Sequence, residues 1–121
     1  FNKEWDMITL TPYFMQVNNE TQNTHMILKG FVKLKSAQTT SCYIIKKHFV
    51  KILLDNFKYA KMQLVNKKPY NTFAIDQYWK KLFLKYNIYT FSKVFIYQLA
   101  GYSDIEGKQV NYNYNLEAPM I

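Results

Sequence analysis

From residue 45 to 64 the chain sets Ile45, Phe49, Leu53, Phe57, Ala60 and Leu64 three or four residues apart, with Lys46, Lys47, Lys51, Lys58 and Lys61 off that line. This period puts apolar side chains on one side of an α-helix and ammonium groups on the other, and it is the strongest amphipathic pattern in the sequence. Thr40 or Ser41 stands where an N-cap is expected. Residues 42–45 can alternatively form a short strand feeding the helix. A lysine-bearing loop follows at 66–70, closed by Pro69. Asn71 or Thr72 then opens a second expected helix, with Ile75, Trp79, Leu82, Phe83 and Tyr86 inward and Lys80, Lys81 and Lys85 outward. Asn87, tolerant of left-handed backbone, ends it.

Upstream the period changes. In 7–17, Ile8, Leu10 and Phe14 alternate with Thr9 and Thr11, the pattern of a strand, and Pro12 marks an edge or a bulge. Residues 18–24 are polar and turn-like. The stretch 25–35 carries two patterns. Met26, Leu28, Val32 and Leu34 oppose Lys29, Lys33 and Lys35 as in a strand, while Ile27, Leu28, Phe31 and Leu34 also recur at helical spacing. Residues 38–41 form a small polar break. Helices and antiparallel strands in one chain of 121 residues make an α+β class, with chain enough for one domain and a real core.

Charge restricts the partner. The net charge is +8, and all sixteen cationic residues are lysines. Such a chain favours an anionic partner, most simply nucleic acid held by its backbone, because lysine neutralises phosphate but lacks the planar fork that reads guanine. Between residues 41 and 85 ten lysines face two acids, Asp55 and Asp76, and Tyr43, Tyr59, Tyr70 and Tyr78 are interleaved as stacking surfaces for unpaired bases. The candidate nucleic-acid contacts are Lys46, Lys47, Lys58, Lys61, Lys67, Lys68, Lys80 and Lys81; the plainer reading of the same lysines is a solvated helix face. One cysteine, Cys42, excludes an internal disulfide and reads as a small buried hydrophobe. His25 and His48 read as structural or surface residues, and Asp76 as a first-turn acid favoured by the helix dipole. No apolar run approaches the roughly 18 residues of a membrane span. The asparagine-, tyrosine- and lysine-rich usage, without arginine, resembles AT-rich coding of an organelle, a virus or certain bacteria, and a first residue other than methionine leads us to expect a processed chain or a fragment.

The stretch SKVFIYQLAGYSDIEG, 92–107, ends in a nine-residue run that resembles the signature of the LAGLIDADG homing endonucleases and maturases. Leu99, Ala100 and Gly101 match its opening, Asp104 and Glu106 its two acids and Gly107 its final glycine. The resemblance implies a helix over these residues, with Gly101 against a partner backbone and Gly107 as its left-handed end. It also implies a LAGLIDADG-like arrangement of mixed helices and antiparallel strands, here an incomplete copy. In that frame 1–88 is the back part of a first half and 90–121 a motif helix with a following strand. The pattern alone also admits a hairpin, with 94–99 a strand, 103–107 the loop, and Val110, Tyr112, Tyr114 and Leu116 alternating with asparagines beyond it.

In that family paired acids hold divalent metal at the scissile phosphates, so the resemblance makes Glu106 the expected catalytic residue and metal ligand, Asp104 a secondary acid and Mg2+ the expected cofactor of a nuclease. A single motif supplies one such acid. The leading expectation is therefore a nucleic-acid-binding relative, of RNA or DNA, that is weak or inactive as a nuclease unless other chains complete it. The family's setting and the codon usage point to a mitochondrial matrix location. A second reading is a structural RNA-binding component of a ribonucleoprotein assembly such as an organellar ribosome. A third is an α+β interaction domain of viral or secreted origin, the motif being accidental.

Overall fold

The computed structural model describes residues 5–17, 30–93 and 96–111. A five-stranded sheet is its frame. β1 (Met7–Thr9) and β5 (Ile88–Phe91) run parallel near its centre; β3 (Phe31–Gln38) lies antiparallel to β5, and β2 (Tyr13–Val17) and β4 (Tyr43–Ile45) form the two edges, giving the order β2-β3-β5-β1-β4. The long helix α1 (Lys47–Val65) and three short helical turns, α2 (Tyr70–Phe73), α3 (Ile75–Tyr78) and α4 (Lys80–Phe83), make the second layer. The class is α+β.

Alternation along the central strands decides which side chains meet the helices. Met7 and Ile88 point into the core with Leu34 and Ala37 of β3, against Phe49 and Leu53 of α1 and Trp79, Leu82 and Phe83 of the second helical region. Ile8 and Tyr89 point the other way and pack with Trp5, Leu10, Phe31 and Phe91, the last two rings 4.7 Å apart. Each fully buried Phe, Met, Leu or Ile contributes about 1.5–3 kcal/mol, so the apolar stripe of α1 and the strand alternation reinforce one another. Pro12 falls between β1 and β2, where no ladder bond is lost, and β2 is an irregular edge with register shifts on either side of Gln16.

Asp6 fastens the corner where three segments meet. Its carboxylate accepts from Asn87 N–H at 2.7 Å and lies 2.6 Å from His48 Nε2, while its backbone bonds Asn87 and Lys46. His48 is thus a surface residue with an acid partner 42 positions away, which no local pattern reveals. Lys33 Nζ donates to Asn87 Oδ1 at 2.7 Å on the same corner.

The structure decides between alternatives at 43–45 and 31–35 and changes other expectations. Residues 43–45 are a strand, so α1 begins after Lys46 and neither Thr40 nor Ser41 caps it; Lys46 stands at the cap without a side-chain bond. Residues 31–35 belong to β3 rather than to a helix, because the pairing of Phe31, Val32 and Lys33 with Phe91, Thr90 and Tyr89 satisfies their backbone in the sheet. The single second helix is broken at Ala74, whose extended backbone (ψ 141°) separates α2 from α3, and Ile75 is turned outward. α1 ends in the double bond that closes many helices, Lys68 N–H to Gln63 O and Lys67 N–H to Leu64 O, with Lys67 in left-handed backbone (φ 59°) where glycine is usual. Cys42 is half-buried.

The largest correction concerns residues 99–107. They form no helix: β6 (Gly101–Ser103) and β7 (Lys108–Val110) pair antiparallel around a four-residue turn, 104–107. Gly107 N–H donates to Ser103 O at 2.7 Å and Glu106 N–H to Ser103 Oγ at 3.2 Å, with Gly107 left-handed (φ 66°) to close the turn. A helix here would gain no packing, since Leu99 is 77% and Ile105 83% exposed, and Tyr, Ser, Asp and Gly are weak helix formers. A Cβ on Gly101 would meet nothing within 4 Å, so this glycine is not a close-packing residue. Val94, Phe95, His25, residues 18–24 and the alternation beyond Asn111 lie outside the described residues.

Candidate nucleic-acid interface

Trp79 organises the most chemically distinctive surface. Its ring is fully buried, its Nε1 donates to Ala37 O at 2.9 Å, and it packs edge-on against Phe83 (5.4 Å) and Tyr43 (6.2 Å). Anchoring Trp79 inward leaves Gln77 and Tyr78 before it, and Lys80 and Lys81 after it, on the outer side of the chain. Because α2 and α3 turn back beside the C-terminal half of α1, Tyr78 stacks on Tyr59 of α1 (5.2 Å, 26°) and on Phe73 of α2 (5.5 Å, 27°). Tyr59 and Phe73 complete the triangle at 6.5 Å. Lys81 Nζ lies 4.0 Å from the Tyr78 ring centroid and donates to the Tyr78 hydroxyl at 2.9 Å.

Two adjoining recesses open here. One, of about 380 Å³, is lined by Tyr59, Thr72, Phe73, Gln77, Tyr78 and Lys81. The other, about 290 Å³, is lined by Gln16, Lys35, Ser36, Lys80, Lys81 and Leu84. Lys81 borders both, and neither lining contains a carboxylate among the described residues. Lys35 comes from β3, and α4 brings Lys80 and Lys81 against that strand, so the side chains of three lysines from two separate parts of the chain line one small hollow. Lys80 Nζ spends one donor on Gln77 Oε1 at 2.7 Å. An ammonium group has three donors, so this bond alone leaves two for an anion.

The other expected contacts are spread out. Lys47, Lys51 and Lys58 follow one row on the outer side of α1, at spacings of four and seven, and all are exposed. Lys51 is paired with Asp55 at 2.6 Å. Lys46 sits at the far end of α1, its ammonium 4.7 Å from the Trp5 ring. At about 1.5 Å per residue, Lys46 and Lys47 stand about 18–20 Å along the axis from Tyr59. Lys61 is exposed on the flank of α1 beside Val65 and Leu64, and Lys67 and Lys68 are exposed in the turn after it. Of the eight, Lys80 and Lys81 alone line the recesses. Lys35 and Phe73, absent from the sequence expectation, join them. Of the four tyrosines, Tyr59 and Tyr78 come together, Tyr43 packs on Trp79, and Tyr70 lines a different cleft.

That cleft, about 860 Å³, lies between the 101–110 hairpin, residues 38–41 and the start of α3. Glu106 and Asp76 line it with Lys108 and several amide and hydroxyl side chains; Asp76 Oδ2 accepts from Thr39 N–H at 3.3 Å. Phe14 and Thr39, both in left-handed backbone (φ 47° and 74°), also line it. Asp104 and Glu106 are exposed on the hairpin turn, two residues apart, and not at the ends of packed helices. Among the described residues no group of three or more His, Cys, Asp or Glu converges as metal ligands. No helix of the described residues is long and apolar enough to cross a membrane. Comparison with protein-family models, curated proteins and solved structures finds no match.

Proposed function

We propose that this chain binds nucleic acid through the face built by β3, α3, α4 and the C-terminal half of α1. The observation that carries this reading is the meeting of the Lys35, Lys80 and Lys81 side chains at a hollow with no carboxylate among its described lining residues, beside a three-ring aromatic cluster that Lys81 also borders. Lysines set side by side raise the local positive potential, and an anion with several oxygens lowers it; a phosphodiester is the simplest such group on a polymer. The exposed lysines of α1 and of the turn after it extend the positive surface around this centre and supply long-range attraction. Strand cleavage is not part of this reading, because Asp104 and Glu106 lie on the hairpin and not on this face.

The test is the salt dependence of binding to a labelled single-stranded oligonucleotide, followed by fluorescence anisotropy. Each phosphate contact on a single strand contributes about 0.7 to the slope of log K against log salt. Replacing Lys35, Lys80 and Lys81 together by glutamine removes the grip on one phosphate and is expected to lower the slope by about 0.7 and to weaken binding to all sequences alike. An unchanged slope in the triple variant would overturn the assignment of the phosphate site.

A further inference from the structure

The two recesses share a wall, and their chemistries differ in the way the two ends of a nucleotide differ. One is aromatic, with hydroxyl and amide groups at its rim; the other is lined by the side chains of three lysines. We infer that the recess of Tyr59, Phe73 and Tyr78 takes one unpaired base of a single-stranded nucleic acid, while the adjoining phosphate lies against Lys35, Lys80 and Lys81. This rests on the proposed nucleic-acid binding and specifies its substrate class: single strand rather than duplex.

Three features carry the inference. Tyr59 is 44% exposed although it belongs to the ring cluster, so part of it borders the open recess rather than being sealed in the core. At about 380 Å³ the recess lies at the small end of the range of ligand sites, roughly 300–1,000 Å³, which suits a single heterocycle and not a stacked base pair. Its polar rim is also pre-set. Gln77 Oε1 accepts from Lys80, an assignment fixed because ammonium can only donate, so the Gln77 NH2 group is the side available to the acceptors that every base edge carries. Lys80 then has two tasks, orienting Gln77 and facing the phosphate. A base paired in a duplex cannot enter such a recess without leaving its stack, whereas an unpaired base stacks on aromatic rings whatever its sequence.

The experiment compares three probes of equal length on the intact chain: oligothymidylate, the same strand with abasic residues replacing the nucleosides, and a duplex. It uses the parent protein, Tyr59→Leu and Tyr59→Trp. The parent is expected to bind oligothymidylate roughly 5- to 100-fold more tightly than the abasic strand, the range one base–aromatic stack provides. Tyr59→Leu should erase most of that difference while leaving abasic-strand affinity and salt slope unchanged, and Tyr59→Trp should retain it. Equal affinity of the parent for the abasic strand, or a duplex bound as tightly as oligothymidylate, would overturn the base site while leaving the phosphate grip standing. Binding to none of the three would overturn both. Since Tyr59→Trp preserves an aromatic ring at the site, a fold lost in Tyr59→Leu alone would still leave the probe comparison on the parent and Tyr59→Trp to decide.

Discussion

The face around Trp79 and the hairpin at 101–110 contrast in how they are held. Around Trp79 every outward group is backed by a buried one: the indole fixes the chain against Ala37, and Tyr78, Lys80 and Lys81 inherit their positions from it. On the hairpin the turn is satisfied by its own bonds, to Ser103, while Leu99, Tyr102 and Ile105 stay exposed. A recognition surface works best on elements whose geometry is fixed by packing, because less freedom is then lost on binding. The nine-residue run that looks most like a signature therefore lies on the less supported element. The dispersed lysines and tyrosines lie partly on the better one.

Removing the anchor should show the contrast most strongly. Trp79→Ala is expected to destabilise the fold by about 3–5 kcal/mol, from the cavity and from the orphaned Ala37 carbonyl, and to abolish oligonucleotide binding with it. Thermal denaturation and anisotropy on one sample check both. A stable Trp79→Ala protein that still binds would mean that the face does not depend on its core pin.

The turn should respond about a third as strongly. Gly107→Val forces a β-branched side chain into left-handed backbone at a cost of about 1–2 kcal/mol, confined to the hairpin. Gly101→Val, with open space at its Cβ, should change stability by no more than about 0.5 kcal/mol. Glu106→Gln should be smaller still and leave nucleic-acid affinity unaltered. Denaturation midpoints in which Gly101→Val costs more than Gly107→Val would restore a close-packing role for Gly101 and break the comparison.

Local periodicity is what the sequence made legible. Phe49, Leu53 and Ala60 sit in the core as the helical stripe requires, Ile8 and Met7 take opposite faces of the sheet, and Pro12 breaks the first strand pair. What periodicity could not decide were positions where one pattern serves two structures. Residues 31–35 satisfy helix and strand spacing, and only the pairing with β5 selects the strand. A hairpin is the alternative reading of these residues and its loop at 103–107 nearly matches the turn at 104–107, but its first strand is Gly101–Ser103, while 96–99, expected in that strand, form none. The helix expected from Asn71 or Thr72 is interrupted at Ala74, a residue that favours helices, so the break comes from tertiary packing and not from propensity. At the candidate site, Lys80 and Lys81 were legible as a charged face. Lys35 was hidden because β3 and α4 are brought together only by the fold, and Phe73 because it was one more aromatic residue among many. A search for aromatic residues one helix away from paired lysines would have raised Phe73 and Tyr78 but not Lys35.

The most direct measurement is a lysine acetylation footprint read by mass spectrometry, with and without a saturating single-stranded oligonucleotide. The chain carries sixteen lysines and no arginine, so reporters stand on β3, along the helical layer and beside the hairpin, at Lys93 and Lys108. The account predicts strong protection at Lys35, Lys80 and Lys81, partial protection at Lys58 and Lys61, and none at Lys93 or Lys108. Protection concentrated at Lys93 and Lys108, with Lys35, Lys80 and Lys81 reacting as in the free protein, would contradict it.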